Sequence, residues 1–356
     1  MKIYIHSTTE IKMDPRPRRT VDYLRNEKFQ VHEVLYTYSK KMKIIKFIEF
    51  IFWALSKKKR SLIQTISLNT LTILEKNQND YHLVEDPLIL PSLFDELEFK
   101  SNIVVDLREY HPKSQRNVVF YLTHRFIYLH IYRNYLTKLE NVLTVSEAHR
   151  DILERRFGVK SKVVLSAPVL VSEENVLVKT NKQNIDFVYL GLANTNRGIR
   201  LICKSFEKLE DTNVYLYLSG DPNYIQKLRQ EYKGKENIKI YEMVDSTQVI
   251  DTLKKYDVGI CFFKRPWNTR NSLPNKFFSY IHADLALLVY ENSQMAGFVN
   301  SYRIGRTVKH YSVTSFREAV SSFSIPLLRE YQKNSSELKL IFNFQNEAIK
   351  LGKIFK

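Results

Sequence analysis

Short apolar runs alternate with longer amphipathic stretches along most of this sequence. In the first half they predict strands at 2–6, 31–36, 103–106 and 142–146, with a helix near 20–26. Short apolar runs bounded by turn residues are typical of buried strands, and the intervening 3.6-residue periodicity indicates helices. The recurring order of strand, helix and strand predicts a doubly wound α/β domain.

The same order starts again after residue 184. Predicted strands and predicted helices alternate here, with strands at 185–191, 213–220, 238–242 and 257–263 and helices at 198–209, 222–232 and 249–256. This second series predicts a second doubly wound domain, so the expected fold class is α/β with two Rossmann-like domains.

The length of the chain also favours two domains. At 356 residues a single hydrophobic core is near its upper limit. We expect an N-terminal domain at 1–168, a polar linker at 169–184 and a C-terminal domain at 185–330. A last helical stretch at 331–356 is expected to pack back on the N-terminal domain.

Composition excludes several classes of protein. With 44% hydrophobic and 13% aromatic residues, the chain is neither disordered nor of low complexity. Cys203 and Cys261 lie in apolar stretches without metal-ligand spacing, which predicts buried thiols in a reducing compartment. The start of the sequence predicts a strand rather than a signal peptide, and Lys46 and Glu49 interrupt the longest apolar segment, so no transmembrane span is expected.

The formal net charge of +17 is spread over both halves of the chain, which suits anionic partners in general. Segment 40–60 combines eight basic residues and one acid with an aromatic centre. That composition is typical of a helix lying on an anionic membrane surface, and the alternative is a core helix with solvated ends.

Glycine is scarce in this chain. Only nine glycines occur, and the first is Gly158, so a glycine-rich phosphate loop is excluded from the N-terminal half. The loop after the first predicted strand instead carries Arg16 and Arg18. These two side chains are candidates for binding phosphate on an acceptor, or else solvated loop charges.

Segment 270–289 (RNSLPNKFFSYIHADLALLV) carries the clearest chemical signal. Polar Asn271 and Ser272 precede Pro274, which suits a first helical turn, and an amphipathic helix then leads into an apolar strand. Free N–H groups at a helix start attract anions, and Lys276 adds a full positive charge there. An ordinary capped helix is the alternative.

This segment resembles the "PNK.FEY.aaGlPv" signature of bacterial family 4 glycosyltransferases, which have the two-Rossmann GT-B architecture. Segments 141–168 and 185–289 are similar to that family in order and spacing, whereas 40–100 is only weakly similar. The resemblance implies a nucleoside diphosphate sugar donor on the C-terminal domain, a glycan or lipid-linked acceptor on the N-terminal domain, and reaction in the cleft between them. It also implies retention at the anomeric carbon and no metal or other cofactor.

The resemblance places donor-binding residues at Arg197, Gly198, Val244, Ser272, Leu273, Asn275, Lys276 and Ser279. Arg197 and Lys276 are expected to stabilise the charge that builds on the leaving diphosphate. Three positions depart from the family: Ser279 and Asn271 stand where relatives carry Glu, and Asp284 replaces a glycine. Ser279 is expected to hold the donor ribose less firmly, which keeps a weakly active or inactive accessory subunit as an alternative.

In the N-terminal half, segment 102–112 (NIVVDLREYHP) is similar to the family's "D.HEyyp" loop. It supplies Arg108, Glu109 and His111 as candidate catalytic residues. At the carboxyl end of a strand these side chains would face the active site, and either Glu109 or His111 would accept the proton of the acceptor hydroxyl. A loop or core histidine is the alternative for His111.

The favoured function is a metal-independent hexosyltransferase of cell-surface polysaccharide biosynthesis. We expect it in the cytoplasm, peripheral on the inner face of the cell membrane. A polyanion- or nucleic-acid-binding protein is the rival class, motivated by the charge and by 22 Tyr and 21 Phe. No nucleic-acid-binding signature supports that rival, so no nucleic acid is expected as a partner. A nucleotide-sugar epimerase is a third alternative within the same fold.

Overall fold

The structure is a computed structural model, and it describes residues 1–36, 79–98, 100–114, 124–171, 184–194, 197–264, 267–291 and 293–355. The predicted membrane-surface segment 40–60 and most of the predicted linker lie outside these residues. Within the described ranges, every helix is too short or too polar to cross a membrane.

The chain forms two compact units. Residues 1–165 and 348–356 belong to the first unit, and residues 166–347 belong to the second. The helical residues after 347 therefore belong with the N-terminal part of the chain, whereas the preceding long helix belongs to the second unit. The domain boundaries expected from the sequence stay a prediction.

The first unit alternates strands and helices. Its strands are β1 (Lys2–Ser7), β2 (Gln30–Leu35), β3 (Tyr81–Val84), β4 (Ile103–Leu107), β5 (Asn141–Thr144) and β6 (Lys162–Val163). Its helices are α1 (Pro15–Asn26), α2 (Leu90–Glu96), α3 (His124–Asn134) and α4 (Glu147–Phe157), with short 3₁₀ turns between them. The alternation predicted from the apolar runs is thus present.

The strands of the first unit form a parallel sheet in the order β2-β1-β3-β4-β5-β6. Parallel strands are covered by helices on both faces, which explains why all five residues of β4 are buried. The strand order reverses between β1 and β3. Ligands of doubly wound folds bind beside the carboxyl ends of the strands at such a reversal.

The second unit continues with six more strands. They are β7 (Ile185–Ala193), β8 (Thr212–Gly220), β9 (Ile238–Glu242), β10 (Val258–Cys261), β11 (Ala286–Tyr290) and β12 (Gly305–Val308). The helices are α5 (Ile199–Phe206), α6 (Pro222–Glu231), α7 (Val249–Leu253), α8 (Trp267–Arg270), α9 (Asn275–His282), α10 (Gln294–Tyr302), α11 (Val313–Ser321), α12 (Ile325–Ile341) and α13 (Phe344–Gly352), the last of which crosses the boundary between the units.

The second sheet is also parallel, in the order β12-β11-β10-β7-β8-β9. Numbered from β7, this is the Rossmann order 6-5-4-1-2-3, with the reversal between β7 and β10. The core contains contacting aromatic side chains, among them Phe187, Phe206, Phe262 and Phe316. Cys203 and Cys261 are both buried, as their apolar surroundings predict.

Candidate functional sites

A lysine with a buried ammonium group lies at the strand-order reversal of the second sheet. The ammonium nitrogen of Lys276 is 3.8 Å from the ring centroid of Tyr189 and 4.5 Å from that of Phe263. Tyr189 is the middle residue of β7, and Phe263 follows β10. Among the described residues, Lys276 Nζ has no hydrogen-bond partner although it is buried. A cation over two aromatic faces is stabilised by their quadrupoles, but its charge is not neutralised.

Tyr280, one turn further along α9, holds the part of the helix that carries Lys276 against the sheet. Lys276 and Tyr280 are four residues apart and therefore share a helix face. The Tyr280 hydroxyl accepts a hydrogen bond from the Leu190 N–H at 3.0 Å, which fastens α9 to β7. The Tyr280 ring lies so close to Gly259 of β10 that a Cβ there would be 2.3 Å from the ring. This close packing sets the position of Lys276 on the sheet.

Arg197 provides a second cation at the same place. Its guanidinium carbon lies 4.9 Å from the Phe263 ring centroid, so Phe263 contacts both cations. The following Gly198 has φ of +69° and precedes α5, and no side chain caps that helix in the described part of the chain. A Cβ on Gly198 would be 2.8 Å from Tyr311 Oη, so both backbone conformation and space require glycine.

The electrostatic surroundings shift the ionisation of Lys276. Burial lowers its pKa to about 7, and the Coulombic effect of Arg197 acts in the same direction. Burial raises the pKa of the neighbouring Cys261 thiol to about 11, so this thiol does not supply a compensating negative charge at neutral pH. Two cations without a carboxylate partner favour an anionic ligand here.

The other predicted donor residues lie on the connections around α9 and β9. Leu273 is buried, whereas Ser272 and Asn275 are half-buried at the start of α9, where Pro274 is the N-cap residue and no side chain caps the helix within the described residues. Val244 is half-buried in the loop between β9 and α7. Ser279 Oγ donates to the Asn275 carbonyl oxygen at 3.1 Å, within the helix itself.

Asp284 stands where the resembled glycosyltransferase signature has a glycine. It has φ of +57°, a left-handed conformation that Asp tolerates better than most residues. Its carboxylate is 2.9 Å from Lys339 Nζ of α12. This ion pair ties the turn after α9 to the long helix.

In the first unit, Arg108 lies at the carboxyl end of β4 and bridges two acids. Its guanidinium group contacts Asp14, which precedes α1, and Glu85, which follows β3. Glu85 is buried, and its Oε1 has no hydrogen-bond partner among the described residues. Burial lowers the pKa of Arg108 to about 10, so the guanidinium remains charged at neutral pH. This cluster lies at the reversal between β1 and β3, where a doubly wound domain binds its ligand.

Arg16 and Arg18 differ in their surroundings. Arg16 makes two hydrogen bonds to Asp106 at 2.7 and 2.8 Å and one to the Val164 carbonyl oxygen at 2.9 Å. It is buried and its charge is neutralised by Asp106, so it ties α1 to β4. Arg18 is exposed.

Glu109 and His111 are held by their neighbours. Glu109 Oε1 accepts from Ser114 Oγ at 2.9 Å. His111 is buried, and its Nδ1 is 3.0 Å from Tyr132 Oη. The buried His149 on α4 interacts electrostatically with both residues, and burial lowers its pKa to about 4. The arrangement places a carboxylate and two imidazoles together beside the carboxyl end of β4.

Sequence reasoning missed Tyr189, Phe263 and Glu85. Tyr189 and Phe263 belong to apolar runs, in which an aromatic residue is expected to fill the core. Glu85 follows a strand that was not predicted. The available signal was a Glu-Asp pair directly after a short run of apolar residues.

Within the described residues, no three His, Cys, Asp or Glu side chains are grouped so that they could hold a metal ion.

The chain matches no protein-family profile and no curated protein sequence. Solved structures resemble it closely in fold. Sucrose-phosphate synthase from Thermosynechococcus elongatus has a TM-score of 0.71 and 12% identity, covering 99% of this chain and 98% of its own. An α,α-trehalose-phosphate synthase (UDP-forming) from Burkholderia vietnamiensis has a TM-score of 0.68 and 10% identity, covering 99% and 96%.

A third similar structure is that of a point mutant of S. aureus TarM, in complex with fondaparinux, α-GlcNAc-glycerol and UDP. Its TM-score is 0.61 at 11% identity, and the match covers 79% of this chain and 56% of TarM. These solved structures are GT-B glycosyltransferases with two Rossmann-like domains. At such low identity the likeness establishes the fold: this chain has the GT-B architecture.

Proposed function

We propose that this protein is a retaining glycosyltransferase that moves a hexose-type sugar from a nucleoside diphosphate to a glycan or lipid-linked glycan. The observation that carries the proposal is the pair of cations Lys276 and Arg197 at the strand-order reversal of a Rossmann-like domain. Neither makes an ion pair with a carboxylate among the described residues. A diphosphate is the ligand that such a pair suits.

The same pair gives the proposed chemistry a physical basis. As the bond between the anomeric carbon and the diphosphate breaks, negative charge grows on the leaving oxygen. Fixed cations in a buried site stabilise that charge more than water does, because they need no reorganisation. Lys276, Arg197 and the uncapped start of α9 supply this stabilisation, so the proposed reaction needs no metal ion.

The first unit is proposed to bind the acceptor. Its carboxyl-end cluster contains Glu85 and Arg108, which suit sugar hydroxyls because carboxylates accept and guanidinium groups donate hydrogen bonds. Glu109 or His111 is proposed as the base for the acceptor hydroxyl.

A uridine diphosphate donor is favoured because the TarM structure holds UDP and the Burkholderia enzyme is described as UDP-forming.

The proposed setting is polysaccharide biosynthesis at the cytoplasmic face of the membrane. Its support is the basic and aromatic composition of segment 40–60, which suits anionic lipid. Binding to vesicles with and without phosphatidylserine tests this part separately from the reaction. Equal binding to both kinds of vesicle contradicts it.

An accessory subunit without turnover is the second candidate. The observation that favours it is Ser279, whose hydroxyl bonds within its own helix at 3.1 Å. The position of the family's ribose-binding carboxylate therefore offers one neutral hydroxyl, whose proton is already donated to the helix backbone.

Thermal-shift screening against UDP-, GDP-, TDP- and CMP-sugars, followed by a transfer assay with the best donor, tests the proposal. A donor that binds the folded state raises the unfolding temperature by mass action. We expect one nucleotide to stabilise the protein and its sugar to be transferred. Stabilisation without transfer or donor hydrolysis favours the accessory subunit, and stabilisation by none of the donors contradicts both candidates.

A further inference from the structure

Tyr189 has a buried hydroxyl group that the site described above does not explain. The residue is fully buried in β7, and its Oη has no hydrogen-bond partner among the described residues. Most buried polar side-chain atoms are hydrogen-bonded, and an unpaired one is costly. A phenylalanine would fill the same core space without that cost.

The Tyr189 hydroxyl and the Lys276 ammonium border one small space. A Cβ built on Gly191 would lie 3.4 Å from Tyr189 Oη and 3.6 Å from Lys276 Nζ. Gly191 has φ of +152° and, being glycine, leaves that space open. Two buried polar atoms without partners therefore flank the same position at the end of β7.

The chemistry of these atoms restricts what can occupy the space between them. A phenol and an ammonium group both donate hydrogen bonds, and burial raises the pKa of Tyr189, so its hydroxyl keeps its proton. The guanidinium of Arg197 adds positive charge nearby. The occupant must accept hydrogen bonds and carry negative charge, which describes a phosphate oxygen.

We propose that Tyr189 Oη donates a hydrogen bond, alongside Lys276 Nζ, to one phosphate oxygen of the bound donor diphosphate. This inference rests on the proposed function. Tyr189 then has two separate roles in the site. Its ring lies under the Lys276 ammonium group, and its hydroxyl contacts the substrate. Because β7 is a central strand, the hydroxyl is held in place before the ligand arrives.

Tyr189→Phe separates these two parts, because it keeps the ring and removes only the hydroxyl. We expect UDP and inorganic pyrophosphate, measured by isothermal titration calorimetry, to bind at least about tenfold more weakly, as for a lost hydrogen bond to a charged group. Without ligand, the variant is expected to unfold at the same temperature as the wild type or higher, since it loses an unpaired buried hydroxyl. A structural tyrosine would show the opposite change in stability.

Tyr256→Phe is the matched control, since Tyr256 is also buried and its hydroxyl bonds to Tyr217 at 2.7 Å. It is expected to lower stability and leave both affinities unchanged. Affinities of Tyr189→Phe within twofold of the wild type overturn the inference, and so does weaker binding accompanied by lower ligand-free stability. If Lys276→Ala loses binding while Tyr189→Phe does not, only the role of Tyr189 fails. If the wild type binds neither probe, the proposed function fails and the inference with it.

Discussion

Lys276 Nζ lies over the ring of Tyr189 at 3.8 Å, with no hydrogen-bond partner among the described residues. Arg108, at the corresponding edge of the other sheet, contacts both Asp14 and Glu85. The two carboxyl-end sites therefore differ in charge. One leaves its cations without carboxylate partners and suits an anion, whereas the other places two carboxylates around one cation and does not suit an anion.

Removing either cation of the second unit should slow the reaction. We expect Lys276→Ala and Arg197→Ala each to lower donor turnover at least about a hundredfold, because each removes one charge contact to the transition state. Lys239→Ala, at an exposed position of β9, is the control and should retain activity. Unchanged turnover in both site variants would show that the anion does not bind there.

The lowered pKa of Lys276 predicts that donor binding depends on pH. In the free protein this pKa is about 7, so Lys276 loses its charge as the pH rises above 7. Above that pH, binding of a diphosphate requires that Lys276 take up a proton. Affinity for a UDP-sugar, whose doubly esterified diphosphate does not titrate in this range, should fall from pH 6.5 to 8.5, by up to about tenfold per pH unit. Lys276→Arg stays charged and should bind with no such decline. If the affinities of the wild type and of Lys276→Arg change with pH in the same way, the prediction is contradicted.

Two histidines in the first unit predict sensitivity to acid. His6 Nε2 lies 3.0 Å from His82 Nδ1, and His6 Nδ1 lies 2.7 Å from Tyr36 Oη. Burial lowers the pKa of His82 to about 4 and that of His6 well below its usual range. The unfolded chain, with histidine near 6.5, binds more protons between pH 4 and 6.5, so the free energy of unfolding should fall as pH falls through that window.

Urea unfolding at pH 7.5 and pH 5 measures this loss. The variant His82→Gln keeps a hydrogen-bonding side chain beside His6 but removes one titrating group. Its stability should depend less on pH than that of the wild type. The same change with pH in both proteins would assign the acid sensitivity to other groups.

Glu85 should matter for the acceptor and not for the donor. The variant Glu85→Gln removes the negative charge that faces Arg108 while keeping the shape of the side chain. We expect transfer to the acceptor to fall about tenfold, the scale of one hydrogen bond to a charged group, with donor hydrolysis in the absence of acceptor unchanged. Asp14→Asn changes the other carboxylate that contacts Arg108 and is compared with Glu85→Gln. Asp14 differs from Glu85 because it also accepts a hydrogen bond from the Arg16 N–H at the start of α1. Equal losses of transfer and hydrolysis in Glu85→Gln would indicate a structural role.

The turn after α9 should be sensitive to substitution. Asp284→Ala removes the ion pair between Asp284 and the buried Lys339 and places alanine in a left-handed conformation. We expect the free energy of unfolding to fall by about 2 kcal/mol. Asp284→Asn tolerates the same φ and should lose less, whereas equal losses would assign the whole effect to the ion pair.

Apolar periodicity predicted much of the fold, because buried parallel strands carry near-continuous apolar runs. The strand predicted at 238–242 coincides with β9. Three strands were not predicted, and all of them carry polar residues: β3 (YHLV) contains His82, the two-residue edge strand β6 (KV) contains Lys162, and the edge strand β12 (GRTV) contains Arg306 and Thr307. Polar side chains break the apolar signal, and only the finished sheet shows that these segments pair with their neighbours.

The candidate sites were predictable to different extents. Lys276 and Arg197 stand in motif positions, so the sequence could point to them. The function of Tyr189 depends on a hydroxyl that finds no partner, and that is a property of packing. His111 illustrates the reverse. Its position after a strand suggested a base facing the active site, with a loop or core histidine as the alternative, and the structure buries it with Nδ1 beside Tyr132.

The return of α13 to the first unit affects how this protein can be dissected. Phe355 is fully buried with its ring 5.3 Å from Tyr81 of β3, and Gly352 lies close to the Tyr23 hydroxyl of α1. A fragment that ends near residue 171 would uncover this apolar surface and is expected to aggregate on expression. A single-domain expression product would need residues 344–355 fused back, so acceptor binding is best studied with both segments present.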